Sequence, residues 1–382
     1  MAYILLAGDF PPQVGGIQSY HSSLARALTA LGRTVHVIAT AQPGDREHDA
    51  GCPFAVTRVP GGGGKLALTR RMRDTALGVA PGLGRRVRGI IATKWSPESP
   101  GAWQAARQLG TPWAIFGHDR EFILTALNGL KWAVQRHCLT QADFCFAISH
   151  YAAANFRRRG VPEHRIRMVG GGVEAGAFAP DPERAAQLRQ QLDLGDGPVL
   201  VTVSRLVQKK GHLTVLRSLP AVQQALGPVR YLIVGDGPCR GELQAAVREL
   251  GLGSQVVLTG RAPQADLCGY YTLADVMVMV SHDVPGEPTE GFGLAYLEAN
   301  CCDTPVIGSR GGGIPDAVDH GVSGLLVPPR DPRATAQAII SLLGDPNRAR
   351  EMGRQGAQRA RQGFRWELVA RRVDACFDEL ER

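Results

Sequence analysis

The sequence predicts an α/β protein of two doubly wound domains that face each other across a cleft. Two observations predict it. Short β-branched apolar runs alternate with helix-period segments along the whole chain, the signature of parallel sheets covered by helices on both faces. The chain is also 382 residues long, enough for two cores.

The elements follow in order. In the first half, strands are expected at "YILLAG" (3–8), "TVHVIAT" (34–40), "GIIATKW" (89–95), "PWAIFGH" (112–118) and "DFCFAIS" (143–149). In the second half they are expected at "PVLVTVS" (198–204), "VRYLIVG" (229–235), "QVVLTG" (255–260), "DVMVMVS" (275–281) and "TPVIGS" (304–309). Segments such as "QSYHSSLARALTALG" and "GELQAAVRELG" supply the intervening helices. The Gly- and Pro-rich stretch 170–187 reads as the linker. The tail "WELVARRVDACFDELER" reads as an amphipathic helix with Leu368, Val369, Val373 and Phe377 on one side.

Composition excludes several classes. No apolar run is long enough for a transmembrane helix, and the N-terminal run reads as a first strand rather than a signal peptide. The eight cysteines form no C-x-x-C, and no paired Cys/His spacing suggests a metal site, so no metal is expected. The net charge of +8 favours anionic partners. No aromatic-interleaved basic stripe is present, so nucleic acid is not among the expected partners.

In an open parallel sheet, ligands collect at the carboxyl ends of strands. Four patches lie there. "DFPPQVGGIQSY" follows the first strand, and Gly15 and Gly16 would let backbone amides approach an anion at a helix start. The same pattern also fits a plain glycine turn. "SRLVQKKGH" places Arg205 and Lys210 in a loop after a strand, where two cations can neutralise a diphosphate leaving group. Lys209 reads as the surface member of that loop. "FGHDREF" ends a strand with His118, able to hydrogen-bond a substrate hydroxyl, and Asp119 beside Arg120 reads as a cap or ion pair.

The fourth patch, "PGEPTEGFGLAYLEANCCDTPVIG", holds Glu290 and Glu298 eight positions apart. On one helix, eight steps of about 100° would leave them roughly 80° apart. The glycines of "GFGL" (Gly291–Leu294) instead place Glu290 in a loop and Glu298 on the helix that follows, with its start at Gly291. The amides of that start can face a phosphate. "VGDGPCRG" (234–241) has Arg240 where a dinucleotide fingerprint needs its third glycine, so it reads as a strand-to-helix turn.

These motifs together resemble the family 4 retaining glycosyltransferases of the GT-B fold, over nearly the whole chain. They are "DFPPQVGGIQSY", "SRLVQKKG", "LIVGDGP", "EGFGLAYLEANCCDTPVIGSRGGGIPDAV" and "GLLVPPRDP". The layout is most similar to bacterial phosphatidylinositol mannoside mannosyltransferases. The resemblance implies two Rossmann-like domains, 1–172 on the acceptor side and 173–363 on the nucleotide-sugar side. A C-terminal helix, 364–382, would pack back on the first.

It further implies that Gly15 and Gly16 lie beside the donor diphosphate or the acceptor, and that Arg205 and Lys210 bind the diphosphate. Glu290 would hold the sugar hydroxyls near the amides of Phe292 and Gly293. Glu298 would meet the ribose, and His118 the 6-hydroxyl region of the sugar. Arg261, in "TGRAPQADL" (259–267), falls in the segment that meets the base.

The expected reaction moves a hexose from GDP-mannose or a UDP-hexose to a lipid or glycan acceptor of the cell envelope. It keeps the anomeric configuration and needs no metal or other cofactor. A nucleotide-sugar 2-epimerase of the same architecture is the alternative. Asp303 replaces a glycine of the family pattern, and Asp tolerates a positive φ better than most residues. The expected location is cytoplasmic. The basic segment 65–88, with Lys65, Arg70, Arg71, Arg73, Arg85, Arg86 and Arg88 around Leu66, Leu68, Met72 and Leu77, fits either contact with an anionic membrane at its inner face or a solvated basic helix and loop.

Overall fold

The computed structural model describes residues 1–13, 15–83, 87–118, 129–286 and 289–380. The chain divides into two compact units, Met1–Gly172 with Trp366–Arg382, and Val173–Arg365.

The first unit holds seven parallel strands: β1 (Ala2–Ala7), β2 (Thr34–Thr40), β3 (Ala55–Val59), β4 (Val87–Ala92), β5 (Trp113–Gly117), β6 (Phe144–Ala147) and β7 (Ile166–Met168). Their spatial order is β3-β2-β1-β4-β5-β6-β7. β1 is buried along its whole length, as its unbroken apolar run requires of a central strand covered on both faces. The order reverses between β1 and β4, so the loops after these strands flank the crevice where such sheets take ligands.

The helix Trp366–Glu379 completes this unit. Its buried face carries Trp366, Val369, Val373 and Phe377. Phe377 packs against Tyr3, Phe144 and Phe146 with ring centroids 5.3, 5.7 and 6.1 Å away. Asp374 takes the Tyr3 hydroxyl at 2.8 Å and the Arg33 guanidinium at 2.6 Å.

The second unit holds six parallel strands: β8 (Val199–Val203), β9 (Arg230–Val234), β10 (Val256–Gly260), β11 (Val276–Met279), β12 (Val306–Ser309) and β13 (Gly324–Val327). Their order is β10-β9-β8-β11-β12-β13, so its switch point lies between β8 and β11. Leu200, Val215, Tyr231, Val278 and Ile339 form part of its buried core.

Three helices of this unit open with the same device. Asp181, Asp331 and Asp345 each cap a helix whose next residue is proline, and each carboxylate accepts from the amide three residues on, at 2.9, 2.9 and 3.0 Å. Each cap contributes about 1 kcal/mol, and proline costs nothing at a position whose N–H has no helical partner.

This corrects the expected linker, since its last third belongs to the helix Pro182–Gln191. Strands β3, β7 and β13 were not expected. They run 5, 3 and 4 residues, and an arginine interrupts the apolar run of β3 (AVTRV) and of β7 (IRM). Asp303 has φ 59°, the left-handed conformation anticipated for it.

The basic segment is not one exposed surface. Met72 is fully buried, and Arg88 is buried against Asp374 and Asp378 of the C-terminal helix. Arg71 donates to the carbonyls of Pro60 and Gly62, and Arg73 pairs with Asp74. Lys65, Leu66 and Arg70 remain exposed, and Arg85 and Arg86 lie outside the described residues.

Candidate active site

In the second unit, the loops after β8 and β11 bring the predicted residues together. The β8 loop is fixed from the side by the β9 loop. Leu206 donates to the Asp236 carbonyl at 3.0 Å, and Cys239 donates to the Leu206 carbonyl at 3.0 Å. Gly235 sits at φ 141°, and a Cβ there would stand 1.9 Å from the Ser204 carbonyl oxygen. The "GDG" run is therefore a spacer that lets two loops touch, in a strand-to-helix turn leading to the helix Arg240–Glu249.

Lys210 Nζ lies 2.8 Å from Glu290 Oε1, with 17% and 14% of the two side chains exposed. Ser281 Oγ adds a long contact of 3.5 Å to the same oxygen. Burial alone would raise the Glu290 carboxyl, but Lys210 and then Lys209 outweigh it and hold Glu290 below its ordinary value. Lys209 is therefore not a surface residue. It is partly buried and donates to the Thr289 carbonyl at 3.3 Å. The Arg205 guanidinium is exposed and pairs with no carboxylate among the described residues. Arg261, after β10, is also exposed.

Glu290 is held by its main chain as well. Its carbonyl accepts from Gly313 at 2.8 Å. Gly312 has φ 57°, and a Cβ there would stand 2.4 Å from the same carbonyl oxygen. The glycine run 311–313 thus cradles the loop that carries Glu290.

Glu298 sits on the helix Leu294–Cys301, whose N-cap is Gly293. The loop and helix placement of the two glutamates is the one their spacing predicts. Glu298 Oε2 accepts from the Tyr271 hydroxyl at 3.0 Å. Burial raises this carboxyl, and Tyr271 and Lys210 offset only part of the shift. The environments of the two glutamates therefore push their affinities for a proton in opposite directions. Phe292 is buried and packs on Phe364 at 5.8 Å, so it anchors the helix start while Gly291 and Gly293 supply backbone.

In the first unit, the sequence places His118, Gly15 and Gly16 at strand ends. His118 ends β5 and is 8% exposed. Gly15 is extended at φ 171°, a conformation open to any residue. A Cβ on Gly16 would meet nothing within 4 Å, so packing does not require glycine there. Asp119 lies outside the described residues.

Two features of this unit were missed. His21 Nε2 lies 2.6 Å from His118 Nε2. Its signal was a histidine on the apolar stripe of the helix Gly16–Ala30, in register with Leu24, Ala25 and Leu28. At the switch point, Lys94 Nζ lies 2.6 Å from Asp9 Oδ2 and 3.5 Å from the fully buried Glu98, which also accepts from the Gly8 amide at 2.8 Å. Burial pushes the Glu98 carboxyl up to about 7, against the pull of Lys94.

Among the described residues, one cluster has metal-ligand composition, His48, Asp49 and Cys52. Arg58 grips Asp49 through two bonds of 2.6 and 2.9 Å, so a cation there would meet a guanidinium. This donor set fits an ion pair better than a metal.

Residues 184–359 match the family model for glycosyl transferases group 1, and residues 15–172 match the glycosyl transferase 4-like domain. A GDP-mannose-dependent alpha-(1-6)-phosphatidylinositol monomannoside mannosyltransferase from Mycolicibacterium smegmatis is 31% identical over 97% of this chain and 96% of its own. The chain belongs to the group 1 glycosyltransferases. A monoacylated-substrate relative from Corynebacterium glutamicum is 29% identical to this glycosyltransferase, over 97% and 96% of the two chains.

Anabaena HepE, solved with UDP and glucose, superposes with a TM-score of 0.83 at 20% identity, covering 99% of this chain and all of its own. Sucrose-phosphate synthase from Thermosynechococcus elongatus gives 0.81 at 26% identity, covering 100% and 99%. The glycosyltransferase therefore has the GT-B fold, with its two parallel-sheet Rossmann-like domains, and is a hexosyltransferase using a nucleotide sugar. No helix among the described residues is long and apolar enough to cross a membrane.

Proposed function

We propose that this glycosyltransferase moves mannose from GDP-mannose, with retention at the anomeric carbon, to a mannosylated phosphatidylinositol. Full-length identity to enzymes with that donor and acceptor in their names carries the choice.

The geometry around Lys210 gives the reading its mechanism. An ammonium has three donors, so Lys210 can keep Glu290 and still reach a phosphate oxygen. Arg205 has its fork free of carboxylates to grip the diphosphate. The amides at the start of the helix Leu294–Cys301 add partial positive charge. Negative charge developing on the departing diphosphate is met by groups already in place. Glu290, kept ionised by the two lysines, accepts from sugar hydroxyls. Glu298 meets the ribose, His118 the sugar, and Arg261 the base segment.

The deciding experiment incubates the enzyme with GDP-mannose, UDP-glucose or UDP-galactose and phosphatidylinositol monomannoside in detergent. Mannosyl transfer from GDP-mannose is expected. Transfer only from a UDP-sugar would overturn the donor, and conversion of GDP-mannose to an epimer without acceptor would overturn the transferase reading.

The acceptor's lipid tails call for a membrane surface. The exposed face of the helix Gly64–Val79, with Lys65, Arg70 and Leu66 at 65% exposure, is the contact. Each cation near an anionic surface contributes about 1 kcal/mol. Co-sedimentation should rise with anionic lipid and fall when Lys65 and Arg70 become Ser. Equal recovery with neutral vesicles would remove this contact.

A further inference from the structure

We propose that Arg330 is a positioning residue whose guanidinium clamps the loop that carries Glu290, by holding the Asp283 carbonyl. The inference rests on the reading that Glu290 meets the transferred sugar.

Arg330 is a backbone outlier. Among the described residues, the non-glycine residues with positive φ are Asp193, Asp303 and Arg330, at 48°, 59° and 57°. An aspartate offsets that conformation by bonding nearby backbone with its short side chain, and an arginine does not. Arg330 stands between β13 and Asp331, the cap of the helix Pro332–Leu343. Glycine would make the same turn without strain. The Arg330 side chain is exposed and fills no core, so packing does not call for it. What arginine adds is reach. Its guanidinium donates to the Asp283 carbonyl, 47 positions back along the chain. Its charge also bears on His282, the residue before Asp283, where burial and then Arg330 push the imidazole down. Strained residues held by a specific contact gather at functional sites.

Asp283 is the hub of the loop between β11 and Glu290. Its Oδ1 accepts from the Thr289 amide at 2.7 Å and closes the loop into a ring. The two ends of the loop are tied down elsewhere. The His282 amide donates to the Lys209 carbonyl at 2.8 Å, and the Glu290 carbonyl accepts from Gly313 at 2.8 Å. Between these ties, the peptide plane joining Asp283 to Val284 is oriented by Arg330. Released from that bond, the plane is free to turn, and the ring closed by Asp283 and Thr289 turns with it. Thr289 directly precedes Glu290, so the shift is felt at the carboxylate that faces Lys210 at 2.8 Å.

The test compares Arg330→Gly with Arg330→Ala, assayed with GDP-mannose and phosphatidylinositol monomannoside. Both remove the guanidinium, and only alanine keeps the strained backbone. Both should lower kcat about tenfold, because displacing a substrate-positioning group by a fraction of an ångström weakens catalysis steeply. GDP should keep its wild-type Kd in calorimetry. Arg330→Gly should nonetheless melt about 2–4 °C above Arg330→Ala. Arg330→Lys, which keeps a cationic donor, should recover part of kcat. Wild-type kcat in Arg330→Gly would overturn the proposal, as would a loss confined to the less stable Arg330→Ala. Weaker GDP binding at unchanged kcat would make Arg330 a ligand of the donor and overturn it too. Glu290→Gln separates the two readings. If that variant still transfers, the reading of Glu290 fails and this inference with it. If it is inactive while Arg330→Gly keeps full kcat, this inference fails alone.

Discussion

Lys210 and Glu290 form an ion pair of 2.8 Å, across the switch point of the second sheet. Lys210 is thus the main reason that the Glu290 carboxyl stays below its ordinary value despite its burial. Lys210→Met should cut kcat/KM by about 10²–10³. It should also move the acid limb of the residual pH–rate profile toward neutral. The sign follows from the causes: burial raises the Glu290 carboxyl and Lys210 lowers it, so removing Lys210 leaves burial against Lys209 and the long Ser281 contact. An acid limb that stays in place would show that Glu290 ionisation does not depend on this contact.

Glu290 and Glu298 should separate in calorimetry. Glu290→Gln should bind GDP with near wild-type affinity and lose transfer, because its proposed partner is the sugar. Glu298→Gln should weaken GDP itself, and so should Tyr271→Phe, which removes the hydroxyl that holds Glu298 at 3.0 Å. The reverse pattern would turn the donor end for end.

Arg205→Ala and Gly16→Ala should lose activity without losing stability. The Arg205 guanidinium is exposed and pairs with no carboxylate among the described residues, and the space beside Gly16 is open. Unfolding free energies should stay within roughly 0.5 kcal/mol of wild type, the range of ordinary surface changes. Arg205→Ala should cost about 10²–10³ in kcat/KM. A large drop in melting temperature with normal turnover would assign both residues to the scaffold.

Glu98 should make the protein's stability depend on pH. Its folded carboxyl is raised from 4.5 to about 7. The associated stability is therefore full below about 4.5 and is lost as pH rises through about 7. The amount is on the order of 3 kcal/mol, at 1.4 kcal/mol per unit. Urea titrations of wild type and Glu98→Gln should converge at acid pH relative to their gap above 7, with the variant gaining as pH rises. Parallel curves across that window would mean that Lys94 keeps Glu98 ionised throughout.

Much of the candidate loop pair was legible because its signals are local. A loop after a strand, glycines beside Glu290 and a helix carrying Glu298 can all be read within a dozen residues. What escaped lies in contacts between distant segments. His21 meets His118 across 97 positions, and Gly8 meets Glu98 across 90. Lys209 reads as surface until the Thr289 carbonyl arrives from 80 positions away. The "linker" failed for a different reason: proline at a first helical turn looks the same in sequence as proline in a loop, and only the Asp181 cap tells them apart.

The helix Trp366–Glu379 closes the first unit from the far end of the chain, with Tyr3 and Asp374 in direct contact. On a translating ribosome this imposes an order. The second unit is one continuous stretch and can fold as soon as it emerges. The first unit must wait for roughly 190 further residues, about 10–40 s of synthesis, with the seat of Phe377 uncovered on its sheet. That seat is lined by Phe144 and Phe146, so the nascent first unit exposes aromatic surface until the helix Trp366–Glu379 has left the tunnel.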